Sequence, residues 1–205
     1  MKRFMFLLIG VILLASAVNA APASISLYVI DHGAMISHKN IGWMQTDTIG
    51  IYYVQDRLND PGHDLGNQLE FGLLSSNPQA IFTGAQWEDH ITSQVGDVST
   101  GIILGDGSLG SNCMRHQQDV VYIGDVYVFF TDASPIPSAF TIRVVGNENG
   151  DPRLMPPGLY ISTYPCTGYL TFQSVSGGTF YFNCGECEPA AVDSKTWGAI
   201  KAMYK

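Results

Sequence analysis

The chain has 205 residues and a formal net charge of −8; 46% of its residues are hydrophobic and only 14% are charged, against about 25% in ordinary soluble domains. Its 22 glycines, ten prolines and 11% aromatic residues indicate a turn-rich β protein with a hydrophobic core and exclude a disordered chain. The acidic balance repels phosphate backbones, so nucleic acid is a poor partner. The length predicts one domain.

Residues 1–20 have the features of a secretory signal peptide. Lys2 and Arg3 form a positive start, residues 4–17 are apolar, and the small residues before Ala21 fit a cleavage site after Ala20. Cleavage leaves eight basic and 18 acidic residues, a net charge of −10. No later apolar run is long enough to span a bilayer. We therefore expect an exported protein, periplasmic, extracellular or on the cell surface, with no membrane insertion after cleavage.

Residues 21–189 alternate short runs of β-branched and aromatic residues with turns rich in Gly, Pro, Asn and Asp. This pattern predicts an all-β, antiparallel β-sandwich that is jelly-roll-like, and the lack of amphipathic helices argues against parallel βαβ units. Residues 87–96 are ambiguous, because Trp87, Ile91 and Val95 also have helical spacing. Residues 31–45 predict a loop with a short strand at most. The predicted strands cover residues 25–30, 48–54, 68–74, 80–82, 99–104, 120–131, 139–145, 159–164, 169–175 and 179–184.

Residues 157–187 contain three of the four cysteines and a run that looks like a tight turn. If residues 176–178 (Ser-Gly-Gly) close a hairpin, Phe172 faces Phe182 and the apolar residues of both strands share one face. Cys187 then lies one residue from the position opposite Cys166. Cys184 lies roughly 13 Å farther along, beyond the reach of a bridge to Cys166.

Four cysteines in an exported chain predict two disulfides. The hairpin register favours Cys166–Cys187, which leaves Cys113–Cys184. The pairing of Cys113 with Cys166 and a local Cys184–Cys187 bridge stays open.

Cys184-Gly185-Glu186-Cys187 also matches the C-x-x-C of thiol oxidoreductases. Against that activity, no βαβ pattern surrounds the motif, and Glu186 and Glu188 would raise a thiol pKa. A Cys₄ zinc site would need a second C-x-x-C. Structural disulfides are the favoured interpretation, with a thiol oxidoreductase as an alternative.

One polar turn and four aromatic residues suggest ligands. The turn around Gly150 contains side chains with oxygen atoms, the kind of ligand that Ca²⁺ takes from loops. Their spacing differs from that of an EF-hand, so an ordinary polar turn is the favoured interpretation. The candidate calcium ligands are Asn147, Asn149 and Asp151.

Strand aromatics usually belong to the core, but four of them can form a sugar-stacking platform. They are Trp43, Tyr52, Tyr53 and Trp87. We expect no required cofactor.

Residues 190–205 form a separate tail. Asp193 or Ser194 can cap a short C-terminal helix with one apolar face. That face carries Trp197, Ile200, Met203 and Tyr204. Because an isolated helix of this length would fray, we predict that the face docks on the sandwich or on a partner.

The ending of the tail, residues 196–205 (TWGAIKAMYK), resembles the T-W-G-x-I-K-x-[LM]-Y-[RK] close of a group of small exported bacterial proteins of unknown function. That resemblance implies no activity, cofactor or substrate. The strand count is similar to cohesin-type sandwiches of carbohydrate-enzyme scaffolds, a likeness of fold alone. We expect a non-catalytic interaction or structural module with a protein or cell-surface partner. The first alternative is a carbohydrate- or calcium-dependent ligand-binding module, and the second is the thiol oxidoreductase that would use Cys184 and Cys187.

Overall fold

A computed structural model describes residues 23–31, 34–55, 68–107, 118–132, 138–147, 159–163 and 171–185. These residues form fourteen strands; they contain no helix, and so none that is long and apolar enough to cross a membrane. In chain order the strands are β1 (Ser24–Asp31), β2 (Ala34–Ile36), β3 (His38–Lys39), β4 (Gln45–Val54), β5 (Gln68–Ser75), β6 (Ala80–Trp87), β7 (Ile91–Asp97), β8 (Gly101–Asp106), β9 (Val120–Phe130), β10 (Phe140–Val145), β11 (Tyr160–Thr163), β12 (Thr171–Ser174), β13 (Ser176–Gly177) and β14 (Thr179–Phe182).

The strands form two sheets that enclose one core. The first sheet has the order β13-β1-β4-β9-β6, with β2 beside β1. The second has the order β12-β11-β5-β10-β14-β3, with β8 beside β5 and β7 beside β8. Among the described residues, neighbouring strands are antiparallel except in two pairs: β1 with β13, and β14 with β3, are parallel. The predicted all-β sandwich is therefore confirmed, whereas the predicted C-terminal helix lies outside the described residues.

A row of phenylalanine rings joins the two sheets through the core. Phe130 on β9 stacks on Phe140 of β10 at a centroid distance of 4.9 Å, and Phe140 stacks on Phe182 of β14 at 4.8 Å. Phe180 continues the row at 5.0 Å. All four side chains are buried. Alternate residues of β14 face this core, as the period of two in a strand requires.

The predicted hairpin through residues 176–178 is wrong. Strand β12 pairs with β11, and β14 pairs with β10 and β3. Ser176 and Gly177 instead run parallel to β1 in the other sheet. A Cβ on Gly177 would lie 2.3 Å from the carbonyl oxygen of Val144, so only glycine fits this passage between the sheets.

This topology removes the register argument for a Cys166–Cys187 bridge. Cys184 follows β14 and is disulfide-bonded. Cys113, Cys166 and Cys187 lie outside the described residues, so the pairing stays a prediction.

The ambiguous region around residues 87–96 consists of strands. Strand β6 extends the short predicted strand as far as Trp87, and β7 begins at Ile91. The helical spacing of the apolar residues is coincidental, because β7 pairs with β8 along most of its length. In the predicted loop of residues 31–45, β2 and β3 are two short strands.

Candidate functional site: a tyrosine face on one sheet

The outer surface of the sheet β1-β4-β9-β6 is aromatic. A sheet with one face on the core normally carries polar residues on the other face. Here the strand neighbours Leu27, Ile51 and Val126 are buried in the core, so alternation points the residues next to them outward. Four of the outward residues are tyrosines. With two adjacent polar residues they form what we call the tyrosine face: Tyr28, Tyr52, Tyr122, Tyr127, Gln86 and Asp125.

Three of these tyrosine rings contact one another across adjacent strands. Tyr52 lies directly opposite Tyr122 in the register of β4 and β9, with ring centroids 5.0 Å apart. Tyr28 packs edge-on against Tyr52 at 5.9 Å. Met35 and Val120 pack with the rings, and the five residues form a hydrophobic cluster separate from the main core. The outer surface is therefore packed as well as aromatic.

Gly50 makes room for this packing. A Cβ at that position would lie 2.7 Å from Cε2 of Tyr52, which is closer than real Cβ contacts. The Tyr52 ring consequently lies over the backbone of β4, and the Tyr52 side chain is only 5% exposed. The missing side chain at residue 50 is thus part of how the face is built.

Polar groups lie at the margin of the rings. The Tyr122 phenol donates a hydrogen bond to Asp125, and the Tyr127 phenol donates to Oε1 of Gln86 at 2.9 Å. Burial is the main cause that raises the pKa of Tyr122, and the hydrogen bond and the negative charges of Asp125 and Glu88 raise it further. Tyr122 therefore stays protonated and acts as a hydrogen-bond donor at neutral pH.

The tyrosine face is acidic at its margin. Asp125 lies within it and Glu88 follows β6 nearby. In the part of the chain that the structure describes, the Lys and Arg residues are Lys39 on β3 and Arg143 on β10, both in the second sheet. Among the described residues, the tyrosine face therefore presents aromatic rings and carboxylates with no Lys or Arg from its own sheet.

The four aromatic residues of the predicted sugar platform do not converge. Tyr52 belongs to the tyrosine face, whereas Tyr53 is fully buried in the core. Trp87 packs against the core and donates its Nε1 hydrogen to Oε1 of Gln94 at 2.7 Å. Trp43 lies in the turn before β4. The residues share no single surface.

The Trp43–Met44 turn is a separate exposed apolar feature. The two side chains are 57% and 56% exposed. Met44 has φ of 52°, in the left-handed region. Oε1 of Gln45 accepts the Gly42 N–H at 2.9 Å, which holds the turn closed. The residue before the turn is also held in place, because the Ile41 N–H donates a hydrogen bond to Oδ1 of Asn183 at 2.8 Å.

Asn147, the described member of the predicted calcium turn, points into the protein. Its side chain is 2% exposed and forms a hydrogen bond with Glu70, which is itself 4% exposed. Burial raises the pKa of Glu70, and the hydrogen bond from Asn147 opposes that shift. Asn149 and Asp151 lie outside the described residues. Among described residues, no group of three or more His, Cys, Asp or Glu side chains is placed to hold a metal ion.

The remaining predicted positions stay predictions. The apolar residues of the tail lie outside the described residues: Trp197, Ile200, Met203 and Tyr204.

Sequence reasoning missed the tyrosine face, although a signal for it was present. Residues 120–130 read VVYIGDVYVFF, with apolar or aromatic residues on both alternating sets of positions. A strand with one solvated face should alternate, so a nearly continuous apolar run indicates that both faces are covered or functional. The run 49–54, IGIYYV, carries the same signal.

Comparison with known proteins gives a likeness of fold. No known protein family and no curated protein matches the chain. It is similar to the seventh ScaB type I cohesin from Pseudobacteroides cellulosolvens, at 11% identity and a TM-score of 0.48, over 82% of this chain and 96% of that one. A type III cohesin of the cell-surface anchoring scaffoldin ScaE from Ruminococcus flavefaciens matches at 8% identity and 0.42, over 82% and 91%. The Coh-OlpA-Doc918 cohesin–dockerin complex from Clostridium thermocellum matches at 7% and 0.46, over 78% and 99%. The predicted cohesin-like sandwich agrees with these neighbours as a fold, and the resemblance of the tail to small exported proteins stays a prediction.

Proposed function

We propose that this chain is an exported, non-catalytic module that binds a protein partner through the tyrosine face. The observation that carries the proposal is the aromatic outer surface of a sheet whose other surface is already the core. Tyrosine combines a large apolar ring with a polar hydroxyl, and for that reason it is enriched where protein surfaces meet. Tyr52, Tyr122 and Tyr28 are held in fixed contact, so little side-chain entropy is lost on binding.

The charges of the face define the chemistry of the partner. Asp125 and Glu88 are acceptors without a cation of the described sandwich beside them, and tyrosine rings attract cations over their faces. The complementary surface therefore carries Arg or Lys side chains next to apolar or aromatic anchors. Charge complementarity of this kind speeds association and weakens as salt is added.

Photo-crosslinking tests the face directly. A photo-reactive amino acid replaces Tyr127 in the full chain, and a matched variant carries it in place of Tyr181. Tyr181 is also half-buried, but it lies between the core residues Phe180 and Phe182 and so faces outward from the other sheet. We expect a protein adduct from position 127 and none from position 181 in an extract of the cells that make the protein.

Affinity for the captured partner completes the test. Tyr127→Ala should weaken binding by about tenfold or more, and Tyr181→Ala should leave it unchanged. Binding that responds equally to both substitutions, or adducts that form equally from both positions, would show that the tyrosine face is not the binding surface.

A further inference from the structure

The chain leaves the described sandwich beside the Trp43–Met44 turn. The Asn183 N–H donates to the carbonyl oxygen of Lys39 at 3.1 Å, and the Asn183 side chain accepts the Ile41 N–H at 2.8 Å. Gly185, the last described residue, follows two residues later. Because each residue advances the chain by at most about 3.8 Å, Gly185 lies within roughly 20 Å of Trp43.

The Trp43–Met44 turn near this point is an exposed apolar surface that no described residue covers. Trp43 and Met44 are more than half exposed on a turn that is held closed by Gln45 and by the left-handed backbone of Met44. The twenty residues that follow Gly185 include the tail, whose sequence places its large apolar residues on one face. A rigid apolar turn binds such a face with little loss of conformational entropy.

Charge favours the same pairing. The described residues carry ten Asp or Glu and two Lys or Arg. Residues 193–205 carry Lys195, Lys201 and Lys205 against Asp193 alone. The tail is thus the basic part of an acidic protein, and the sandwich attracts it.

We infer that residues 193–204 fold back as a short amphipathic helix and dock their apolar face on the Trp43–Met44 turn of the same chain. The seven residues 186–192 span up to about 25 Å when extended, which is enough to bring residue 193 to the turn. A helix of twelve residues is about 18 Å long, so its apolar face can cover both exposed side chains. The tyrosine face takes no part in this contact, and the inference does not depend on the proposed function.

Hydrogen–deuterium exchange of the full chain tests the contact. Amides of residues 197–204 should exchange at least about tenfold more slowly than an unstructured peptide of the same sequence, and the protection should not vary with protein concentration. The double variant Trp43→Ser, Met44→Ser should return those amides to the unstructured rate while the amides of β9 stay protected. Trp197→Ser, Ile200→Ser should have the same effect from the tail side. Val95→Ser, at another exposed apolar residue, on the edge strand β7, should change nothing.

Three results would overturn the inference. Tail amides that exchange at the unstructured rate in the unsubstituted chain would show that the tail does not dock. Protection that survives the double variant would place the docking site elsewhere. Protection that appears only as protein concentration rises would assign the turn to the tail of a second copy.

Discussion

The phenol of Tyr122 donates a hydrogen bond to the carboxylate of Asp125, although the two residues are three positions apart on one strand. In a regular strand such residues point to opposite faces. Here β9 contains one extra residue: Tyr122 pairs with Tyr52 and Gly124 pairs with Ile51, which leaves Ile123 unpaired with β4. This bulge returns Asp125 to the outer surface, while Ile123 and Val126 both stay buried in the core. The polar margin of the tyrosine face depends on that single inserted residue.

The Tyr122–Asp125 hydrogen bond predicts a pH dependence on the alkaline side. Burial and Asp125 raise the pKa of Tyr122 above its unfolded value near 10. The protonated Tyr122 phenol contributes its full stability below about pH 10, and this contribution is lost as the pH rises through the folded-state pKa. Urea unfolding between about pH 8 and pH 11 should show a shallower loss of stability for Tyr122→Phe than for the unsubstituted chain. Asp125→Asn should stay closer to the unsubstituted chain than to Tyr122→Phe, because it removes a negative charge but leaves the burial that is the main cause of the raised pKa. Equal slopes for all three proteins would contradict this assignment.

The position of Tyr52 over Gly50 predicts a steric coupling between the two residues. Gly50→Ala should lower the free energy of unfolding by about 1–3 kcal/mol, because the new Cβ would lie 2.7 Å from the Tyr52 ring. In a Tyr52→Val background the same substitution should cost less than about 1 kcal/mol. Denaturant unfolding of the four proteins of this double-mutant cycle measures the coupling. If Gly50→Ala costs the same in both backgrounds, the ring does not lie over residue 50.

The buried carboxyl of Glu70 predicts that a neutral replacement is stabilising. Burial raises the pKa of Glu70, so the ionised form is disfavoured in the folded protein. The resulting loss of stability is absent below the unfolded-state pKa near 4.3, and it develops as the pH rises through the folded-state pKa of Glu70. Glu70→Gln keeps an oxygen that accepts a hydrogen bond from Asn147. It should unfold at a higher urea midpoint than the unsubstituted chain at pH 7, and the advantage should shrink towards about pH 4. The exposed Glu88→Gln controls for the loss of one negative charge, and an equal gain there would contradict the role of burial.

The left-handed backbone of Asn183 predicts an order among three side chains at this position. Asn183 has φ of 53° and its side chain accepts the Ile41 N–H. Alanine loses that hydrogen bond and is strained in the left-handed region, so Asn183→Ala should cost about 2–3 kcal/mol. Glycine also loses the side-chain hydrogen bonds, including the long one from Nδ2 to the Ser138 carbonyl oxygen, but it is not strained in this region, so Asn183→Gly should cost about 1 kcal/mol less. Thermal or urea unfolding ranks the three proteins, and a glycine variant less stable than the alanine variant would refute the account.

Local sequence pattern was sufficient for the sandwich and for most of its strands. β-branched and aromatic runs marked β4, β5, β9 and β10 close to their observed bounds, because these strands alternate inward and outward residues over a shared core. The hairpin at residues 176–178 failed for a different reason. Ser-Gly-Gly suits a tight turn, but it suits equally a narrow passage between two sheets, and only the packing of Gly177 against Val144 decides between them.

The tyrosine face was not predictable from residue type alone. Tyr52 and Tyr53 are adjacent and identical in chemistry, yet Tyr53 is buried in the core and Tyr52 lies on the outer surface. Which of the two faces inward depends on the register of β4 with β1 and β9, and that register is set by residues far away in the chain. The outward position of Asp125 at the polar margin also depends on the bulge at Ile123, and no local sequence motif predicts that bulge.

The parallel pairing of β1 with β13 dictates when this protein can fold. The Ser176 hydroxyl donates to the carbonyl oxygen of Ala23 across 153 residues of sequence, and the contact of Ile41 with Asn183 spans 142. At a synthesis rate of about 5–20 residues per second, Ser176 is added roughly 8–30 s after Ala23. Contacts between such distant residues also form slowly. Neither sheet has all of its described strands until residues 176–182 have been made, so the sandwich cannot be completed before that point.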